Sequence, residues 1–312
     1  MDNKDALIYV AGHRGMLGSA LVRRLTANGY KNLIFKTSTE LDLKKQVEVE
    51  TFFSNNKPDV VFLAAAKVGG IHANNTYRGQ FIYENLAIQT NVIHSAFLFG
   101  VKNLIFFSSS CVYPRNTAQP MKEGYLWQGP LEPTNEPYAV AKLAGMSMCA
   151  AYNQQYGTQY ITVLPTNLYG ENDCYHPDNA HVVGALINKF HAAKIANAPQ
   201  VTLWGTGNPR RELMYVDDAA DASIFLSENY QSTGPINIGV GSDIEIKALA
   251  VMIKNVVGYK GSIQYDKSKP DGVARKLLDI GLLQKYGWKP TVELEEGLVK
   301  TYKFYLNALY NK

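Results

Sequence analysis

Three glycines spaced three residues apart follow directly after an apolar run near the start of the chain. The run 6–11 has the continuous apolar character of a buried parallel strand. The glycines are Gly12, Gly15 and Gly18, and leucines then recur at every fourth residue of a predicted helix that ends near Gly29. The first glycine permits a tight turn, the second lets a phosphate approach the backbone, and the third lets helix and strand pack closely. This order of strand, turn and helix predicts a dinucleotide-binding fold, in which the helix N-terminus faces a pyrophosphate.

Strand and helix patterns alternate through about residue 170, which predicts an α/β fold with a doubly wound parallel sheet of the Rossmann type. The further predicted strands are 32–37, 59–64, 103–107 and 160–164, and the predicted helices are 44–55, 80–99 and 138–156. Beyond a polar segment at 171–181, the predicted helices are 182–193, 217–228, 245–257 and 292–309, with strands at 201–205 and 236–239. We therefore predict a dinucleotide-binding domain over residues 1–170, which also receives some later segments, and a smaller α/β substrate lobe over 171–312.

Composition excludes several classes of function. The chain has 31 basic and 27 acidic residues and no run of lysine or arginine, so no nucleic-acid partner is predicted. Its longest apolar run, 60–66, is far too short to span a bilayer, so no membrane partner is predicted either. The three cysteines, Cys111, Cys149 and Cys174, show neither metal spacing nor a disulfide framework, and no metal site is predicted. With no signal-peptide pattern at the start, we expect a cytoplasmic protein.

The end of the second predicted strand bears on the choice of cofactor. A free ribose 2′-hydroxyl usually meets an acidic residue there, but this chain has Lys36 and no acid before Glu40. Arg14, inside the glycine loop, adds a second cation. Cations in place of a carboxylate favour a 2′-phosphate, and hence NADP(H) over NAD(H). The alternative is that Lys36 and Arg14 are only solvated surface charges.

Serines follow the strand 103–107, at the end of a strand where α/β sheets place their chemistry. A helix then begins near Pro137, with Tyr138 and Lys142 one turn apart on one face. An ammonium ion favours phenolate, so we expect Lys142 to lower the pKa of Tyr138 and to make it an acid–base group near neutral pH. A chance match is the alternative, because Tyr265 and Lys269 have the same spacing in a polar stretch with no serine-tipped strand before it.

Four longer stretches resemble the GDP-L-fucose synthase family of the extended short-chain dehydrogenases/reductases. They are 12–16, 109–114, 131–138 and 269–272, and the resemblance extends over nearly the whole chain. It implies that the chain is an enzyme that uses NADP(H) to epimerise GDP-4-keto-6-deoxy-D-mannose at C3 and C5 and to reduce C4, giving GDP-L-fucose. The alternative is a C4 reductase, with or without epimerisation, of a related GDP-4-keto-6-deoxy sugar such as a heptose. A homodimer is also implied, through helices 80–99 and 138–156.

The resemblance also implies roles for individual residues. Ser109, Tyr138 and Lys142 would form the reductase triad, and Cys111 and His181 would exchange protons during epimerisation. A thiol and an imidazole both exchange protons near neutral pH, although Cys111 alone would be a small core residue and His181 alone a surface or capping residue. The residues implied for cofactor binding are Gly12, His13, Arg14, Gly15, Met16, Leu17, Gly18, Lys36, Asp42, Leu43, Ala64, Ala65, Ser108, Lys142, Pro165, Asn167, Leu168 and His181. Those implied for substrate binding are Lys189, Trp204, Arg211 and Asp271. Two positions depart from the family pattern, since Lys189 and Ser38 stand where arginine is expected.

Overall fold

The computed structural model describes residues 4–176, 179–269 and 271–310, and a parallel sheet of six strands is its largest element. The strands are β1 (Ile8–Ala11), β2 (Leu33–Ile34), β3 (Val60–Leu63), β4 (Asn103–Phe107), β5 (Gln159–Pro165), β6 (Asn167–Tyr169), β7 (Gln200–Trp204), β8 (Arg210–Arg211), β9 (Leu213–Tyr215), β10 (Ile236–Ile238), β11 (Ile244–Glu245), β12 (Ser262–Asp266) and β13 (Arg275–Lys276). The order in the large sheet is β10-β5-β4-β3-β1-β2, and every neighbouring pair in it is parallel.

Helices cover both faces of this sheet. The helices are α1 (Met16–Ala27), α2 (Gln46–Asn56), α3 (Ile71–Thr76), α4 (Arg78–Leu98), α5 (Glu136–Tyr156), α6 (Val182–Ile195), α7 (Val216–Asn229), α8 (Ile246–Val257), α9 (Gly281–Lys285) and α10 (Leu294–Tyr310). Successive strand residues point to opposite faces, so Ile8 and Val10 join one apolar cluster while Tyr9 and Ala11 join another. Helices α1 and α7 pack in the first cluster, and α2, α4 and α5 pack in the second. The predicted doubly wound sheet is confirmed.

A third apolar cluster lies outside the large sheet and forms the core of a smaller α/β lobe. Residues of α6, α8 and α10 make up most of it, together with residues of β7 and β9. Small sheets surround this core: β12 pairs with β7, β6 pairs with β9, and β8 lies between β11 and β13. Two segments that follow residue 170 return to the large sheet, since β10 pairs with β5 and α7 packs against α1.

Some predicted elements differ in extent from those in the structure. The predicted strand 32–37 is reduced to Leu33–Ile34, because β2 is an edge strand that pairs with β1 through these two residues alone. The short helices α3 and α9 and the short strands β6, β8, β9, β11 and β13 were not predicted, since their periodic patterns are too brief to recognise. Strand β12 was also missed, because its residues were interpreted as a polar stretch. None of the helices in the described part of the chain is long and apolar enough to cross a lipid bilayer.

Candidate active site

The glycine loop after β1 lies against the end of β3. Gly12 has a φ of +84°, and a Cβ added to it would lie 2.7 Å from the Cα of Ala65. A Cβ on Gly18 would collide with the carbonyl oxygen of Gly12. Helix α1 begins at Met16 behind this loop, and no described side chain caps its first amides. The loop is therefore a backbone cradle at the start of a helix, where uncapped first amides can bind an anion.

Charged residues lie around His13, a residue of the glycine loop whose ring contacts Phe35 just after β2. The His13 ring stacks on Phe35 with centroids 4.7 Å apart, and burial followed by the charge of Arg14 lowers the pKa of its imidazole. Arg14 is exposed, and Lys36 Nζ lies 3.9 Å from a Glu40 carboxylate oxygen. Glu40 itself closes a local turn, since its carboxylate accepts hydrogen bonds from the Thr37 N–H at 2.8 Å and hydroxyl at 2.7 Å. Two cations therefore stand where a 2′-phosphate is expected.

The other residues predicted for cofactor binding follow the ends of several strands. Ala64 and Ala65 follow β3, Pro165 ends β5, and Asn167 and Leu168 belong to β6. Asn167 donates a hydrogen bond of 3.0 Å to the Glu212 carbonyl, and Leu168 packs against the first apolar cluster. Parallel strands end at one edge of a sheet, so the residues that follow β1, β3, β4 and β5 share that edge with the glycine loop.

Asp42 and Leu43 lie further from the glycine loop in the chain, between β2 and α2. A carboxylate oxygen of Asp42 accepts a hydrogen bond of 3.1 Å from the Lys44 N–H. Leu43 packs against the second apolar cluster, and its carbonyl accepts a hydrogen bond of 2.9 Å from Asn91. These contacts give both residues a structural role, and their contact with a cofactor stays a prediction.

The serine-tipped strand and helix α5 bring the predicted triad together. Ser109 caps a short 3-10 turn at 110–112, and its hydroxyl oxygen accepts a hydrogen bond of 3.2 Å from the Cys111 N–H. The buried Lys142 ammonium donates a hydrogen bond of 2.8 Å to the Phe107 carbonyl and lies 5.9 Å from the centre of the Tyr138 ring. The three side chains are thus grouped at the end of β4.

The prediction that Lys142 lowers the pKa of Tyr138 is wrong. Burial raises the pKa of Tyr138, the charge of Cys111 adds to this, and a hydrogen bond with Ser109 opposes it. Burial also lowers the pKa of Lys142 to about 7, and its ammonium is directed to the Phe107 carbonyl. The spacing of one helical turn places the two residues on one face but does not determine where the ammonium points. Tyr138 therefore keeps its proton at neutral pH, as a proton donor must.

His181 is the residue immediately before α6, and solvent reaches it. Partial desolvation of the ring lowers the pKa of its imidazole. The loop before it contacts the segment after β3, because the Gly70 N–H donates a hydrogen bond of 3.0 Å to the Asn179 carbonyl. That segment is linked to the triad through Phe81, whose ring lies 6.4 Å from the ring of Tyr138. Within the described residues no hydrogen bond joins His181 to Cys111, and residues 177–178 of the predicted polar segment lie outside them.

The four residues predicted to bind substrate surround β7 and β8. Trp204 ends β7 and is 72% exposed, and Lys189 donates a hydrogen bond of 2.8 Å to the carbonyl of Thr202 in the same strand. Arg211 donates a hydrogen bond of 2.7 Å to the Val273 carbonyl, and its charge helps to lower the pKa of Asp271, after the hydrogen bonds from Thr206. The structure thus places two cations and an exposed indole in one region, while Pro270 of the predicted stretch 269–272 lies outside the described residues.

Two residues near the site were missed by the sequence analysis. Lys276 Nζ lies 3.8 Å from the Cys111 sulfur, although the two residues are 165 positions apart in the chain. Glu212 is fully buried, and its carboxylate accepts hydrogen bonds from the N–H groups of Val240, Gly241 and Leu278 at 2.7–2.8 Å. No local spacing signals either contact, because each depends on how distant segments pack together.

Asp173, in the segment between β6 and α6, is a buried carboxyl that is only partly paired. One oxygen accepts a hydrogen bond of 2.7 Å from the Cys174 N–H, while the other is buried without a partner among the described residues. Burial raises the pKa of Asp173 to about 7. In the unfolded chain the same carboxyl loses its proton near pH 4, so between about pH 4 and 7 the unfolded state binds fewer protons. Stability should therefore fall as the pH rises through that interval.

Replacing Asp173 with asparagine should remove this dependence. We expect Asp173→Asn to raise the free energy of unfolding near pH 8 by at most about 4 kcal/mol, since each unit of pKa shift corresponds to about 1.4 kcal/mol. The gain should shrink steadily as the pH is lowered towards 4.5, which denaturant unfolding at a series of pH values would measure. A gain that is equal at all pH values would instead indicate a packing effect of the amide.

The residues at the end of the sheet fit a dinucleotide cofactor. The cradle at Gly12 admits no side chain, and the first amides of α1 have no side-chain cap in the described structure. The Ser108 hydroxyl and the His13 Nδ1 are buried without hydrogen-bond partners among the described residues. Unpaired buried polar atoms are rare in proteins, so a bound group that pairs them would complete the site.

Comparisons with known proteins support the same interpretation. A family model described as the NAD dependent epimerase/dehydratase family matches residues 8–239. The chain is 53% identical to GDP-L-fucose synthase 1 of Arabidopsis thaliana over 312 residues, which cover 100% of this chain and 97% of that protein. A GDP-L-fucose synthetase from Naegleria fowleri bound to NADP is similar with a TM-score of 0.92 and 27% identity, over 99% of this chain and 96% of that chain. A GDP-6-OMe-4-keto-L-xylo-heptose reductase from C. jejuni is similar with a TM-score of 0.93 and 38% identity, over 98% and 99% of the two chains.

Proposed function

Because the chain belongs to the NAD dependent epimerase/dehydratase family, we propose that it converts GDP-4-keto-6-deoxy-D-mannose into GDP-L-fucose with NADP(H) as its cofactor. The observation that carries this proposal is the position of Cys111 beside Ser109 and Tyr138. A thiol that exchanges protons thereby stands next to the two hydroxyls that would bind a ketone. A plain reductase needs the hydroxyls alone, whereas an epimerase also needs the thiol.

Epimerisation depends on the acidity of the sugar hydrogens next to the ketone. The hydrogens at C3 and C5 flank the C4 ketone, so removal of either leaves an enolate whose charge lies on the C4 oxygen. Ser109 and Tyr138 donate hydrogen bonds to that oxygen, as the donors of an oxyanion hole do. The raised pKa of Tyr138 keeps its proton in place for this task throughout the neutral range.

Inversion at carbon requires that a proton leave one face of the sugar and that another return on the opposite face. Cys111 comes from the end of β4 and His181 from the start of α6, so different elements supply the two groups. The lowered pKa of His181 keeps its imidazole neutral near pH 7. A neutral imidazole accepts a proton at its free ring nitrogen and releases it again as imidazolium, which suits it to proton exchange.

Reduction then uses the same ketone. When bound, NADPH would supply the hydride for C4, and Tyr138 would give its proton to the C4 oxygen. The glycine loop and the start of α1 would hold the pyrophosphate, and Arg14 and Lys36 would hold the 2′-phosphate. Lys142 would hold the nicotinamide ribose from its position one turn after Tyr138.

Incubation with GDP-4-keto-6-deoxy-D-mannose in D2O, with and without NADPH, tests this function. We expect deuterium at C3 and C5 in both reactions, and GDP-L-fucose only when NADPH is present, as read by mass spectrometry and NMR. Reduction without deuterium uptake would mean that the enzyme is a C4 reductase. An absence of any turnover would disprove the proposed substrate.

A second candidate is reduction of a GDP-4-keto heptose at C4. The similarity to a heptose reductase, with a TM-score of 0.93, favours it. Lys189 also stands where the fucose synthases are expected to have arginine, so the contact with substrate differs there. Parallel assays with the hexose and heptose substrates would decide, through the ratio of their kcat/KM values.

The choice between NADPH and NADH should depend on Arg14. We expect Arg14→Ala to raise the KM for NADPH about tenfold, because the exposed guanidinium would lose its contact with the 2′-phosphate. The KM for NADH should stay unchanged, and NADH therefore serves as the control within the same variant. Equal losses with both cofactors would show instead that Arg14 binds a part that they share.

We also propose that the chain is a cytoplasmic homodimer. Large apolar side chains are exposed on α4 and α5, among them Tyr83, Leu98, Val140 and Tyr156. Sedimentation should then give twice the 34.6 kDa mass of the chain, and a monomer would contradict the proposal. The free thiols of Cys111, Cys149 and Cys174 fit a reducing compartment.

A further inference from the structure

Lys276 lies beside Cys111 and has no part in the function described above. Its ammonium nitrogen is 3.8 Å from the sulfur, within hydrogen-bonding distance for a thiol or thiolate. The two residues line one small cavity with Arg115, Arg275 and Glu132. Each arginine of this cavity has a carboxylate partner, since Arg115 pairs with Glu132 at 3.1 Å and Arg275 pairs with Asp243. Among the described residues Lys276 forms no ion pair with a carboxylate, so its charge is directed at the sulfur.

The backbone on both sides of Lys276 is fixed. Its strand, β13, lies parallel to β8 and places Lys276 opposite Arg211. The Lys276 carbonyl accepts a hydrogen bond of 3.1 Å from the Glu212 N–H. The next residue, Leu277, donates a hydrogen bond of 2.8 Å to Gln119 and accepts one of 2.8 Å from the Met121 N–H. These contacts tie β13 both to the substrate lobe and to the segment that follows Cys111.

The groups around Cys111 are mainly positive or neutral. Lys276 and Arg211 approach from the substrate lobe, and Tyr138 approaches from α5 with its proton retained. Across the cavity, the charges of Arg115 and Arg275 are balanced by their carboxylate partners. A cation beside a cysteine stabilises the thiolate, and the thiolate is the form that accepts a proton.

We propose that Lys276 is a positioning residue for epimerisation, whose ammonium ion stabilises the thiolate of Cys111. The inference rests on the proposed function. In the step that it assists, a C–H bond at C3 or C5 breaks and an S–H bond forms at Cys111. The electron pair of the C–H bond moves to the C4 oxygen, which Ser109 and Tyr138 bind. No oxidant or reductant takes part in this exchange.

Alkylation of the cysteines by iodoacetamide over a range of pH tests this role without substrate. Lys276→Met should slow alkylation of Cys111 about tenfold near pH 7 and move its pH profile to higher values, because thiolate is the form that reacts. Lys276→Arg keeps the charge and should stay close to wild type. Cys174 is exposed and serves as the internal control, since peptide mass spectrometry reads both cysteines in one sample. An unchanged Cys111 profile in Lys276→Met would overturn the proposal.

Deuterium exchange then tests whether the charge of Lys276 affects epimerisation. Lys276→Met should slow incorporation at C3 and C5 at least tenfold, with partial recovery at higher pH, and Lys276→Arg should retain most of the rate. The exposed Lys260 provides a matched control, and Lys260→Met should exchange like wild type. A raised KM with unchanged Cys111 alkylation would overturn the proposal and assign Lys276 to substrate binding. If Lys276→Met fails to fold, Lys276→Gln repeats the test.

The two experiments keep this proposal separate from the function on which it rests. Wild-type enzyme without any deuterium exchange would disprove the proposed epimerisation. Alkylation would still show whether Lys276 controls the reactivity of Cys111, because that measurement needs no substrate. Normal wild-type exchange with an unchanged alkylation profile in Lys276→Met would disprove the role of Lys276 alone.

Discussion

Replacing Tyr138 with phenylalanine should slow reduction of the C4 ketone by about 10²–10⁴-fold, the usual contribution of a general acid. In the proposed mechanism Tyr138 gives its proton to the C4 oxygen, and burial raises the pKa of its phenol so that the proton is present at neutral pH. Water would be a poorer proton donor than the phenol at this position, which lies beside the buried Lys142 and the serines that follow β4. The rate of NADPH oxidation, measured in single turnovers, would report the loss directly.

Tyr265→Phe is a matched control for this experiment. Tyr265 has the same spacing to a lysine as Tyr138, but it belongs to β12 in the smaller α/β lobe and follows no serine-tipped strand. Its loss should leave turnover within a factor of about two, since one partly exposed phenol contributes little. Equal losses in the two variants would disprove the assignment of Tyr138. In Tyr138→Phe, deuterium exchange should persist at a reduced rate, because Ser109 would still donate to the enolate oxygen in the proposed mechanism.

Replacing Cys111 with alanine should reduce deuterium incorporation at C3 and C5 by about 10²–10³-fold. The change removes the thiol that we propose to exchange protons with the sugar, while Ser109, Tyr138 and Lys142 remain in place. The ketone should still be reduced, and the product should keep the original configuration at both carbons. NMR of the GDP-sugar product would distinguish it from GDP-L-fucose.

Cys174→Ala controls for the loss of a thiol elsewhere in the chain. Cys174 is exposed in the segment before α6, and we expect its replacement to leave both exchange and reduction unchanged. Persistent deuterium uptake in Cys111→Ala would show that His181 or water performs the exchange. Loss of both activities would point to a collapse of the turn at 110–112, which thermal unfolding of the variant would reveal.

The parts of the site that were predictable from the sequence are those with local geometry. The glycine loop could be recognised because strand, turn and helix follow one another directly. Tyr138 and Lys142 could be placed on one face because a helix fixes the positions of residues four apart. The parallel arrangement of β1 to β5 was predicted from the alternation of strand and helix patterns, since parallel strands require crossovers. The place of β10 beside β5 was not predicted, because it depends on how a distant segment packs.

The remaining features depend on contacts between distant segments. Lys276 reaches Cys111 only because β13 pairs with β8, and strands of two residues leave no recognisable pattern. The pKa of Tyr138 was predicted in the wrong direction because spacing gives proximity but not desolvation. The Lys142 ammonium turns to the Phe107 carbonyl, and this preference is visible only once β4 and α5 are packed together.

The buried carboxylate of Glu212 limits where the chain tolerates changes in length. It binds the backbone at 240–241 and at 278, and the same residue bonds to Lys276 and Asn167 through its own N–H and carbonyl. An insertion or deletion in these segments would disturb both lobes at once. The exposed connection at 231–233 makes none of these bonds, so insertions should be accepted more readily there. Engineering of new substrate ranges should therefore graft loops outside the Glu212 contacts and leave their spacing intact.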